Sequence, residues 1–344
     1  PNCKRFADPV PNPDTGGASL CKTFDRAYHV AAAGDTVEVE AGTYPTQKIS
    51  AKGNAAAPNV LFQNAAGAAA TIDNLVTDGS YFTLRNVTIA TGQNHAFGWH
   101  NTGSNITLDH VNITGPWANV DLTGGHNITW KNSGLGDPGN TQQRICQQGD
   151  GEPVELSNVT NLLFSNLDFY PFQPQLGNPA CGPDGNMHLE TIRVWDGVNG
   201  WRLERSRFHR GDGSGSARVF FSKIQGADPQ NITFVNNWFG SSTGTVSIYL
   251  TANSPCTNYT FAYNAWEQAF IDQCTPKNSL TLIGNTGTQP NYLPCAGTLD
   301  IKNLWTWGSA GSCMTDRWAI DRNNGLTVLK YAPDGYHLLR GSPA

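Results

Sequence analysis

One short pattern recurs along the chain, and few folds can satisfy it. It reads turn residue, apolar, polar, apolar, two further residues, apolar or Asn, polar, apolar. Phe82-Thr83-Leu84-Arg85-Asn86-Val87-Thr88-Ile89 and Ile106-Thr107-Leu108-Asp109-His110-Val111-Asn112-Ile113 carry it in full. Shorter copies are Ile128-Thr129-Trp130, Leu162-Leu163-Phe164, Trp201-Arg202-Leu203, Ile232-Thr233-Phe234 and Tyr259-Thr260-Phe261. Val60-Leu61-Phe62 precedes the series and Leu280-Thr281-Leu282 follows it. Successive copies start 22, 24, 22, 34, 39, 31, 27 and 21 residues apart. Alternation of period two marks strands with one buried face. Recurrence near 22 residues, lengthened where loops intervene, is the signature of a coiled solenoid.

Leucine-rich repeats share that period but need a Leu/Asn consensus that is absent here. A β-propeller needs periods of roughly 40 to 50 residues and four strands per unit. Asn105, Asn127, Asn231 and Asn258 each precede a strand, which suits a tight turn with a left-handed backbone. Asn236, Asn237, Asn264 and Asn285 fall near a later corner, where stacked amides can form a ladder. The spacing predicts an all-β, right-handed parallel β-helix of about nine or more coils. Its expected core holds Phe82, Leu84, Ile106, Leu108, Leu162, Phe164, Leu203, Ile232, Phe234 and Phe261.

Composition agrees. The 344 residues include only 7 Glu and 2 Met, so strong helix formers are scarce. Ten Trp, 10 Tyr and 15 Phe give ample core material. Charged residues are 14% and the formal net charge is -5, which argues against a nucleic-acid partner. No apolar run is long enough to span a membrane.

The opening Cys21-Lys22-Thr23-Phe24 through Gly42-Thr43-Tyr44 resembles the first coil of secreted parallel β-helix repeat proteins, and Tyr336 to Ala344 resembles their last. The resemblance covers essentially the whole chain. It is to the pectate-lyase-like and polygalacturonase-like superfamily. It implies a capping helix before Gly34-Asp35-Thr36-Val37 and one β-helix domain over 1–344: cap and first coil to 45, central coils 46–290, C-terminal coils and cap 291–344. It also raises carbohydrate chemistry by analogy of fold.

The eight cysteines contain no C-x-x-C pair, against zinc or thioredoxin-like chemistry. Locality favours four disulfides, Cys3–Cys21, Cys146–Cys181, Cys256–Cys274 and Cys295–Cys313, separated by 18, 35, 18 and 18 positions. Each such loop is worth about 3 kcal/mol in the chain-entropy model. Disulfides imply an oxidising compartment, hence secretion. No signal peptide is visible, and the opening Pro1-Asn2-Cys3 reads as a mature or trimmed form. Seven Asn-x-Thr triplets begin at Asn86, Asn105, Asn112, Asn127, Asn158, Asn231 and Asn258. They match glycosylation acceptors, but the coil pattern itself writes turn Asn, core residue, outward Thr.

The strand before each core repeat is aligned by its inward pair: Val120/Leu122, Val154/Leu156, Ile192/Val194, Val219/Phe221 and Ile248/Leu250. The residue between points outward, giving Asp121, Glu155, Arg193, Phe220 and Tyr249 in consecutive coils. Acids suit a glycosidic bond, Arg suits hydroxyls or a carboxylate, and aromatic rings suit sugar faces. The plainer alternative is a Glu155–Arg193 salt bridge beside two exposed aromatics. A second group is His188, Glu190, Arg193 and Trp195, with His188 and Glu190 expected outward because a buried ionisable pair is costly. Loops 137–152 and 170–187 flank it, joined by the Cys146–Cys181 bridge. Six of 13 arginines fall between 193 and 218, either a uronate-binding zone or a solvated ion-paired face. Arg218 and Lys223 are the better ligand candidates within it. His95 and His100 read as loop residues, and Gly149-Asp150-Gly151-Glu152 lacks the ligands of a calcium loop.

The order Asp121, Asp150/Glu155, His188, Arg218 is similar to the coil order of polygalacturonase-type hydrolases, although the Asp-Asp, Gly-His-Gly and Arg-x-Lys motifs are missing. Pectate-lyase-like enzymes need an Arg or Lys base, here Arg193 or Arg218, and an acidic calcium cluster. The expectation is a secreted, monomeric enzyme cleaving glycosidic bonds of a polysaccharide, with hydrolysis favoured. Glu190 or Glu155 is the general acid, Asp121 the base, His188 the tuner and Arg193 the substrate holder. Trp195, Arg218, Phe220, Tyr249 and Lys223 bind substrate. Hydrolysis requires no cofactor; calcium enters if the reaction is β-elimination on a uronate chain. A non-catalytic glycan-binding β-helix is the rival from another class. Non-reducing peptide mapping is expected to recover the four sequential cysteine pairs; any pair crossing between them contradicts the assignment.

Overall fold

The computed structural model describes residues 21–92, 97–115, 119–138, 143–145, 152–174, 190–209, 217–222, 226–240, 246–250, 257–266, 270–272, 280–288, 298–301 and 304–307. Neighbouring coils pair in parallel throughout these residues. Successive coils place their strands in a nine-stranded sheet and a 20-stranded sheet, with a short two-stranded ribbon besides. The chain is a parallel β-helix, of the right-handed sense that parallel crossovers take.

Each sequence repeat is one coil. Val60 lies beside Phe82, Phe82 beside Ile106, Ile106 beside Ile128, Ile128 beside Leu162 and Leu162 beside Trp201. Leu203 then lies beside Phe234, Ile232 beside Tyr259 and Tyr259 beside Leu280. The 34- and 39-residue intervals therefore add loop without shifting register. All ten expected core residues are at most 1% exposed. Burial of each large apolar side chain contributes roughly 1.5–3 kcal/mol. Stacking in register also places ring over ring: Phe169, Phe208 and Phe239 stack at 4.5 and 4.7 Å. Trp130, Phe164, Trp201 and Phe234 meet edge to face.

Two corners are built from asparagine. Asn105, Asn127, Asn231 and Asn258 have φ of 57°, 55°, 56° and 58°, the left-handed turn expected of them. Their amides link coil to coil: Asn127 Nδ2 donates to Asn105 Oδ1 at 2.9 Å, Asn161 to Asn127 at 3.1 Å, and Asn258 to Asn231 at 2.9 Å. In the coil after Asn161 the position is Gly200, φ 78°, where a Cβ would come within 3.1 Å of Asn161 Oδ1. Six of the seven Asn-x-Thr asparagines have positive φ, Asn112 being the exception, so the coil geometry accounts for them. The second corner is buried. Asn264 Oδ1 accepts from Asn237 N and Nδ2 at 3.0 and 2.9 Å, and Asn264 Nδ2 donates to Phe234 O and Asn285 Oδ1 at 2.9 and 3.0 Å. Asn236, grouped with these by sequence, instead occupies the left-handed turn before them, φ 55°.

At the start of the described chain, Thr23 caps a seven-residue helix, Phe24–Val30, by accepting from Arg26 N. Phe24 stacks on Phe62 at 5.3 Å and Tyr28 meets Phe82 edge-on at 6.3 Å. Cys21 is disulfide-bonded. The other seven cysteines lie outside the described residues, as does the proposed Cys146–Cys181 bridge.

Asn264→Ala leaves the buried Asn237 N–H without its acceptor and removes one donor from the Phe234 carbonyl. It is expected to cost about 3 kcal/mol or more in denaturant unfolding. Asn127→Gly keeps its turn and loses only exposed amide bonds, so it should cost under about 1 kcal/mol. Equal costs at the two corners would contradict this account.

Candidate active site on the nine-stranded sheet

The nine-stranded sheet aligns one outward position in every coil. Its strands include Gln47–Ile49, Leu75–Thr77, Trp99–Asn101, Val120–Leu122, Val154–Leu156, Glu190–Val194, Ala217–Phe221 and Val246–Leu250. The five inward pairs read from the sequence are all fully buried. Between them the register runs Lys48, Val76, His100, Asp121, Glu155, Arg193, Phe220, Tyr249. The row read from the sequence is thus brought together, about 4.8 Å per coil.

His100 belongs to this row and not to a loop. Its Nδ1 lies 2.7 Å from Asp121 Oδ2 in the next coil. The sequence concealed it because its inward neighbour Asn101 is polar. Asn101 is nonetheless fully buried, held by Thr77 Oγ1 at 2.7 Å and by bonds to Gly103.

Around Arg193 the arrangement differs from the expected Glu155–Arg193 pair. Arg193 Nη1 donates to Glu152 Oε1 and lies 3.8 Å from Glu190 Oε2. Its guanidinium carbon lies over the Trp195 ring, 3.9 Å from the centroid, with the Phe220 centroid at 5.5 Å. Glu155 lies beside Glu152 and Trp195, whose side chains bear on its carboxyl together with the charge of Arg193. Glu190, expected outward, shares the parity of Ile192 and Val194 and is only 2% exposed. The cost that argued against burying it is offset by the nearby guanidinium. Glu152 went unrecognised because it lies just before its strand, where alternation assigns no face. It is 3% exposed.

Burial pushes the Glu152 carboxyl up to about 8, with Arg193 opposing and the charges of Glu155 and Glu190 adding to the rise. Burial, then the charge of Asp121, also raises Glu155. At about 8, the Glu152 carboxyl keeps its proton through neutral pH, and the neighbouring Glu155 titrates in concert with it. Strongly perturbed acids in a polar row make this the candidate functional site.

The remaining candidates divide. Trp195, Phe220 and Tyr249 are half-buried, and the Phe220 and Tyr249 rings lie 4.9 Å apart, tilted by 38°. Arg218 is 8% exposed and its Nε donates to Gly240 O at 2.8 Å. His188 and Lys223 lie outside the described residues. Arg202 and Arg207 belong to the other sheet, where they pair with Glu204 at 2.6 Å and Asp168 at 2.8 Å. Among the described residues no group of three or more His, Cys, Asp or Glu is arranged to hold a metal ion. The acids around Arg193 do not suit calcium: a guanidinium occupies their midst and two of them favour a proton.

No family model matches the chain. No curated protein matches it either. Solved structures of similar fold include an alginate lyase from Paenibacillus sp. str. FPU-7, at 13% identity and a TM-score of 0.45, covering 81% of this chain and 95% of that one. Pectate lyase Pel9A is 14% identical with a TM-score of 0.48, over 93% of this chain and 84% of that one. The Streptococcus pneumoniae surface protein and adhesin PfbA is 13% identical with a TM-score of 0.42, over 81% and 91%. These likenesses are of fold alone.

The folded chain holds the Glu152 proton more tightly than an unfolded one, whose value is near 4.5. Stability from this group is therefore full below pH 4.5 and declines as pH rises toward about 8. In chemical denaturation across that range, Glu152→Gln should decline less steeply than the parent. Parallel curves would contradict the burial account.

Proposed function

We propose that the chain is a secreted enzyme that cleaves glycosidic bonds of a polysaccharide by hydrolysis, along the outward row of the nine-stranded sheet. The observation that carries this reading is the Glu152–Glu155 pair, a carboxyl acid that keeps its proton to about pH 8, in register with Asp121 on the next coil. A general acid needs a proton available near the working pH.

In this reading Glu155, the member on the row, delivers the shared proton to the glycosidic oxygen as its bond to the anomeric carbon breaks. A water adds to that carbon and loses its proton to Asp121. His100 positions Asp121 through the 2.7 Å contact. Arg193 and the buried Glu152 hold the pair in place, and Trp195, Phe220 and Tyr249 offer ring faces to sugars. The acid role thus centres on Glu155 backed by Glu152, while Glu190 supports Arg193 from the buried side.

β-Elimination and glycan binding without catalysis are separated by products. Hydrolysis releases reducing ends with no unsaturated-uronate absorbance, elimination releases both, and a binding module releases neither. On a glycan that the parent cleaves, Glu155→Gln and Asp121→Asn are each expected to lower turnover by about 10²-fold or more. Glu152→Gln keeps the donor but should move the alkaline limb of the pH–rate profile, expected near pH 8, to lower pH. Unchanged turnover in both Glu155→Gln and Asp121→Asn overturns the reading.

A further inference from the structure

We infer that the glycan taken by this site is uncharged, a neutral polysaccharide rather than a polyuronate; the inference rests on the site proposed above and concerns its substrate class. Four carboxyls gather at the centre of the row: Asp121, Glu155, Glu152 and Glu190. Only one guanidinium, that of Arg193, lies among them in the described residues, so acids outnumber cations at the centre of the row. A chain bearing a carboxylate on every sugar would meet like charge across its central subsites.

Among the described residues, the cations that would reverse this are committed elsewhere. Arg193 lies between Glu152 and Glu190, and its face is covered by Trp195. A uronate reaching it must displace one of these and leave a buried carboxylate uncompensated, a costly exchange. Lys48 is three coils away from Asp121 and pairs with Asp78 at 3.4 Å. Arg218 is buried, with its Nε on a backbone carbonyl. Toward the C-terminal coils the row turns aromatic, with Phe220 and Tyr249 side by side. Such rings pack against the C–H faces of a pyranose and need no charge on the sugar. Elimination, which needs a carboxylate to acidify the neighbouring C–H, has no substrate in this class.

The test is binding, measured calorimetrically on the full chain with hexasaccharides of β-glucan, xylan, mannan, polygalacturonate and alginate at low and high salt. At least one neutral hexasaccharide should bind about tenfold or more tighter than either uronate, with little change on adding salt. Phe220→Ala should weaken that binding about tenfold, and Phe220→Leu, which keeps bulk without the ring, should weaken it too. A uronate that binds as tightly as the best neutral sugar overturns the inference, as does a panel in which nothing binds. If a uronate wins while Glu155→Gln still abolishes its turnover, the substrate class falls and the acid–base reading stands. If a neutral sugar binds and is never cleaved, the substrate class stands and the catalytic reading falls.

Discussion

In-register parallel hydrogen bonding between coils is the constraint on which everything else here depends. It fixes each residue over its counterpart in the preceding coil at about 4.8 Å, so a choice made once is repeated along an axis. Apolar residues stacked this way become a core with rings on rings. Asparagines stacked this way become bonded columns at the corners. Ionisable residues stacked this way cannot escape one another. The raised Glu155 owes part of its shift to Asp121 one coil away, after burial. The candidate site is thus a by-product of the same repetition that makes the fold, with chemistry arising where acids occupy adjacent rungs.

How much of this was legible follows from where alternation applies. Within strands it sufficed: the inward pairs at Val120/Leu122 through Ile248/Leu250 gave both the core and the row from Asp121 to Tyr249 in correct register. The turn asparagines were legible because few residues other than glycine accept a left-handed backbone. At strand ends the rule lapses. Glu152 precedes its strand and reaches Arg193 from there, so no period could place it. Glu190 begins its strand on the inward parity, and a general argument about buried charge pointed the other way. That argument holds for a lone charge; it does not hold beside a guanidinium. His100 was hidden by the opposite irregularity, a polar Asn101 in an inward position.

The site also shows why the arginines needed sorting by partner rather than by count. Arg193 is bound by acids of its own sheet, whereas Arg202 and Arg207 neutralise acids on a different face. A local excess of cations in the sequence dissolves into separate pairs once the coil distributes them. What remains on the row is acidic in its middle and aromatic at one end.

The asparagine columns have a direction. In the outer column each side-chain amide donates toward the preceding coil, from Asn258 to Asn231 and from Asn161 to Asn127 to Asn105. In the buried column the sense is reversed, from Asn237 to Asn264 to Asn285. Amides joined head to tail polarise one another, so each added rung meets a stronger partner than an isolated amide would offer. A chain built this way behaves like a zip: beginning is the unfavourable event, and every coil laid down makes the next one easier.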